Sequence, residues 1–166
     1  MAIFAQKHKL ISPHFQIKRM AVVALIITFS AALINTIWAV YLEKYLQSPS
    51  TIAYFSGFLT IISIISFFLL IPLIESRNKE TLFLIGLLGS VVAYILFSMA
   101  KNIYLIFLVG IISVLAANLR ISSFGIMVRD SSKNKDLVKN EGFLYTVYNS
   151  GWLVAPPLAG VIAAKY

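Results

Sequence analysis

Arg120 is the residue whose chemistry most needs an explanation, because it lies inside the long apolar stretch 103–128. If that stretch forms a helix ending near Arg129, Arg120 lies nine residues deeper, ~13 Å from the end. At such a depth in a bilayer an arginine costs at least ~2.5–3.5 kcal/mol on insertion scales, and it usually faces a protein interior or a water-filled cavity. Helical spacing puts Ser113, Arg120 and Ser123 on one face, a polar stripe able to receive the guanidinium. The alternative is a membrane segment that stops at Leu119, with Arg120 snorkelling to the interface. Against it, residues 121–128 continue apolar for two more turns.

Two other stretches carry side chains that could meet a solute. Thr28, Asn35 and Trp38 share one helical face, and an asparagine in a membrane helix needs a hydrogen-bond partner. That partner is either a neighbouring helix or a substrate. Tyr145, Tyr148, Asn149 and Trp152 fall at i, i+3, i+4 and i+7, an aromatic and polar stripe. The substrate-path candidates are therefore Asn35, Trp38, Arg120, Tyr148 and Asn149. Ser56, Thr60 and Ser63 also share a face, but such hydroxyls bond their own backbone, and this stripe reads as packing.

Small residues mark where helices should approach closely. Gly151, Ala155, Ala159 and Ala163 recur every four residues, and Gly86 with Ser90 and Gly89 with Ala93 form similar pairs. Pro156 and Pro157 lie within the first seam, where two lost backbone donors should bend the helix.

Enzyme chemistry has little to stand on. No apolar stretch contains Asp, Glu, His or Cys, so acid–base pairs and metal clusters are missing from them. Glu43 stands only at the edge of the first stretch, and His8 and His14 precede it. No glycine-rich phosphate cradle occurs, and no cofactor or metal is expected. With no cysteine, disulfides and thiolate sites are excluded. The net charge of +8 is better explained by membrane orientation than by nucleic acid, since no aromatics interleave with a basic patch.

The elements that would hold these residues are membrane helices. Of the 166 residues, 60% are apolar and 12% charged, against roughly 45–50% and about 25% for soluble domains. Five blocks are long enough to cross a ~30 Å hydrocarbon core: 20–42, 52–74, 81–100, 103–128 and 143–164. They are continuous rather than alternating, which excludes a β-barrel and predicts an all-α polytopic transmembrane bundle. Residues 1–19 form an N-terminal tail, and the first block is too long for a cleavable signal. Ser48-Pro49-Ser50-Thr51 introduces the second helix, and Asn102 should cap the fourth.

Basic residues alternate between the connections. The tail, the second-to-third loop and the fourth-to-fifth loop hold ten of them; the other side has Lys44, Lys101 and Lys165. The positive-inside rule then makes the N-terminus cytoplasmic, in a multi-pass protein expected in the plasma membrane. Tyr166 follows the fifth block directly, so an inverted three-plus-three repeat would be unfinished. The expectation is a missing remainder, from a longer chain or from another component.

The decapeptide Gly151-Trp152-Leu153-Val154-Ala155-Pro156-Pro157-Leu158-Ala159-Gly160 resembles the GxxxGPxxGG motif of helix five in the major facilitator superfamily. Gly151, Pro156 and Gly160 match, and alanine replaces glycine at Ala155 and Ala159. In that family the motif is commonest in proton-linked drug exporters. The loop Ile71-Pro72-Leu73-Ile74-Glu75-Ser76-Arg77-Asn78-Lys79 is similar to the family's GxxxDRxGR, keeping an acid at Glu75 and a base at Lys79 without the glycines. The resemblance pairs that base with an acid ending helix four, here Asp130. Arg120-Ile121-Ser122-Ser123-Phe124-Gly125 looks like the family's RxxQG, with the glutamine lost and the glycine one place late.

The resemblance implies most of one six-helix half of a twelve-helix transporter, its cavity lined by helices one and four. The expected function is secondary active transport of a small solute by alternating access. Glu75, Lys79 and Asp130 would act at the cytoplasmic gate, and a second half and the lipid bilayer would be partners. The rival is a non-transporting scaffold or accessory subunit assembling through the small-residue seams.

Overall fold

Twenty apolar residues in a row leave a backbone one way to satisfy its own N–H and C=O groups away from water, the α-helix. A computed structural model describes residues 13–46 and 48–163 and follows that logic. Five α-helices succeed one another: α1 Pro13–Leu46, α2 Pro49–Ser76, α3 Lys79–Met99, α4 Ile103–Ser131 and α5 Leu137–Ala163. A 3-10 turn, Asn134–Asp136, precedes the last. Among the described residues all regular structure is helical. His8 lies outside them.

The helix starts follow local chemistry. Pro49 opens α2 after an extended Ser48, a position where the missing N–H costs nothing. Asn102 accepts from the Leu105 N–H at 2.8 Å, the expected cap of α4. Asn78 does the same for α3, accepting from Glu80 at 2.8 Å and Thr81 at 3.4 Å. Most of the helices outrun their apolar blocks; α1 begins at Pro13 rather than near Met20. Backbone hydrogen bonding does not stop where hydrocarbon does, so turns carrying Lys18 and Arg19 extend the cylinder toward water.

Among the described residues four helices are long and apolar enough to cross a membrane: Gln16–Leu46, Pro49–Ser76, Lys79–Met99 and Ile103–Ser131. The fifth expected block is helical, but Asn149, Ser150, Pro156 and Pro157 dilute its apolar character, and it falls outside that set. Burial is inverted relative to a water-soluble protein. Large apolar side chains such as Phe68, Leu69 and Leu88 point outward, while Ala32, Ala93, Ala155 and Ala159 are fully buried. That is the arrangement expected where the solvent is lipid and close packing, not hydrophobic burial, joins helices.

The chain divides into two compact units, Val40–Met127 and Met1–Ala39 with Val128–Tyr166. In the first, Ile74, Leu82 and Leu119 form a buried cluster flanked by Leu70 and Ile126. Phe55 meets Phe107 edge-on at 4.6 Å. The Tyr41 phenol donates to the Ala100 carbonyl at 2.7 Å, just past the end of α3, and its ring lies 4.5 Å from Phe97. In the second, α5 packs its small-residue face against α1.

Candidate functional site

Arg120 is set by a contact that only glycine permits. A Cβ on Gly86 of α3 would stand 2.7 Å from the Arg120 backbone nitrogen and 2.8 Å from the Ala116 carbonyl oxygen. One turn along, a Cβ on Gly89 would meet the Ala116 methyl at 3.1 Å. The small pairs Gly86 with Ser90 and Gly89 with Ala93 therefore form the α3–α4 seam, and the seam presses the base of Arg120 against α3.

The guanidinium stays inside. Arg120 keeps 9% of its surface, and its Nη1 donates to Ser90 Oγ at 3.5 Å, the long limit of a hydrogen bond. Ser90 in turn donates to the Gly86 carbonyl at 2.8 Å. Helix α4 runs eleven residues past Arg120 to Ser131, ~16 Å of further cylinder. The helix itself therefore does not stop at Leu119. Ser123, on the same face, is wholly buried and its hydroxyl finds no partner; Ser113 is half-buried. One turn further, the Phe124 ring lies 5.7 Å from that of Phe83.

Sequence reasoning passes over Asn118, two positions before Arg120. Its amide is buried and donates to the Ser63 carbonyl at 3.1 Å, to Ser63 Oγ at 2.9 Å and to Ser66 Oγ, joining α2 to α4. Ser66 closes the set by donating to the Ser63 carbonyl at 2.8 Å. The rule that singles out Asn35 applies equally to Asn118 and would have found it. Ser63 is thus interhelical glue, whereas Thr60 returns its hydroxyl to Ser56 of its own helix at 2.9 Å.

In the other unit the helix-five decapeptide is a packing surface. A Cβ on Gly151 would stand 3.0 Å from both the Phe29 nitrogen and the Thr28 methyl. Gly151, Ala155 and Ala159 are buried, and Gly160 is exposed with nothing within 4 Å of its own Cβ position. Thr28 lies in this contact, its hydroxyl donating to the Ala24 carbonyl at 2.7 Å. Asn35 is exposed and Trp38 half-buried. Tyr148 and Asn149 are exposed, and the Asn149 amide donates to its own helix at the Tyr145 carbonyl, 2.8 Å.

A family model described as Major Facilitator Superfamily matches residues 20–166. The chain belongs to the major facilitator superfamily. Comparison with curated proteins and with solved structures finds no match. Membership makes this a multi-pass integral membrane protein of a transporter family, not an enzyme. Among the described residues no three His, Cys, Asp or Glu side chains gather to hold a metal ion.

Within this major facilitator protein, the remaining motif residues stand at helix ends. Glu75 is exposed in the last turn of α2, and Lys79 opens α3 with its ammonium donating to the Arg77 carbonyl at 3.2 Å. Asp130 is exposed in the last turn of α4. Pro156 and Pro157 lie inside α5, which continues as helix through both.

Proposed function

We propose that this major facilitator protein moves a small solute across the membrane by alternating access, with Arg120 as the charged group of its solute site. The observation that carries the reading is the buried cation far from either end of α4. A guanidinium that costs several kcal/mol at that depth is retained where it has a task. The resemblance separately supports Asn35 and Trp38 on α1, and Tyr148 and Asn149 on α5, as substrate-path candidates. On the same reading the N-terminus is cytoplasmic, α5 is a fifth span, and further helices supply the second half. Glu75, Lys79 and Asp130 serve the cytoplasmic gate, and the diproline lets α5 bend. The helix-five motif favours the proton-linked exporter type, in the plasma membrane.

The scaffold reading loses ground because its seams are already occupied. Gly86 and Gly151 both face neighbouring helices of this same chain, so neither is free to recruit a partner. Arg120→Ala in the full transporter should lower solute flux into vesicles at least about tenfold while membrane insertion stays intact. Undiminished flux would remove Arg120 from the solute site.

A further inference from the structure

Helix α4 contains one polar group that the protein leaves unsatisfied. Ser123 has 0% of its surface exposed, and its hydroxyl makes no hydrogen bond. Other buried hydroxyls behave differently. Thr28 donates to Ala24 at 2.7 Å, Ser90 to Gly86 at 2.8 Å and Ser66 to Ser63 at 2.8 Å, each using a carbonyl three or four residues back. Ser123 has the Leu119 carbonyl at the same offset and does not take it. Native interiors rarely tolerate such a group, and where they do it asks for a functional reason.

Ser123 follows Arg120 by three positions, so both side chains rise from one face of α4 with Cβ atoms about 5–6 Å apart. The guanidinium selects negative charge, and the hydroxyl selects an acceptor oxygen. A carboxylate offers both at once, one oxygen to each donor. One turn along the α3–α4 contact, Phe83 and Phe124 supply an aromatic wall for an apolar body. We propose that Ser123 is the second contact of the Arg120 site, and that the solute bound there carries a carboxylate or similar oxyanion. This rests on the reading of Arg120 as the binding group. Helices of this same chain seal Ser123 and nearly seal Arg120, so solute reaches the pair only when α4 shifts against the helices packed on it.

The test is calorimetric titration of the full-length protein in nanodiscs with benzoate and with its uncharged isostere benzamide. Wild type should bind benzoate more tightly than benzamide. Ser123→Ala should weaken benzoate at least about tenfold, as expected for a lost hydrogen bond to a charged group. Its melting temperature should hold or rise, because the substitution deletes an unsatisfied buried hydroxyl. A purely structural serine would leave benzoate affinity unchanged, and that result overturns the assignment of Ser123. Equal binding of benzoate and benzamide by wild type overturns the oxyanion class. The Arg120 reading fails separately: Arg120→Gln binding benzoate like wild type would end it, whatever Ser123 does.

Discussion

Gly57 and Gly86 are both helical glycines in apolar surroundings, yet a methyl group would fare very differently at the two. At Gly57 nothing lies within 4 Å of a Cβ, whereas at Gly86 the Arg120 nitrogen would be 2.7 Å away. Gly86→Ala should therefore destabilise the protein by about 1–3 kcal/mol, the usual cost of overpacking. Gly57→Ala should be neutral or stabilising by up to about 1 kcal/mol, since alanine is the better helix former. Reversible unfolding in mixed micelles would compare them, and equal effects would contradict the close α3–α4 approach. At this scale the sequence is legible where a residue type conflicts with its surroundings. Arg120 stands out because a charge inside twenty-odd apolar residues has few explanations. Asn118 was open to the same argument, but its partners Ser63 and Ser66 lie more than fifty residues away in the chain. Which side of α4 faces α2 depends on packing, and no local spacing reports it. The unsatisfied state of Ser123 is hidden for the same reason.

Helices are the most legible elements here, because continuous apolar blocks permit only one backbone solution in lipid. Their ends are less so: the polar turns that lengthen α1, and the first turns of α5 from Leu137, lie outside the apolar blocks. Seams are readable as small residues at four-residue spacing, but the helix each one meets is not. What joins α2 to α4 is the Asn118 cluster, and it should register as a coupling between the two helices. A double-mutant cycle of Asn118→Ala with Ser66→Ala should give an interaction of about 0.6–1.7 kcal/mol, the range found for hydrogen bonds between membrane helices. Additive single effects would mean that the cluster does not join them.

For the whole molecule, alternation of basic loops predicts an orientation that labelling can test directly. These 166 residues contain no cysteine, so an introduced thiol is the only one they contribute. Lys101→Cys, exposed in the α3–α4 connection, should react with an impermeant maleimide on intact cells. Lys135→Cys, exposed between α4 and α5, should react only after permeabilisation, and the opposite pattern would invert the topology. Membership in the family was legible from the helix-five decapeptide despite its two alanine replacements, because alanine keeps the close helix contact that the motif serves. The cargo was not legible, since a binding pocket is a surface assembled from distant segments. The Tyr41 phenol carries a last consequence, which concerns biogenesis. Its acceptor, the Ala100 carbonyl, is synthesised fifty-nine residues later. Until then the phenol can pair with Tyr45 of its own helix, 3.3 Å away, and the arrival of α3 adds the long-range acceptor that ties down this end of α1. A nascent chain arrested before Ala100 would hold an inserted but unfinished α1, a natural point for the cell's insertion and quality-control machinery to inspect.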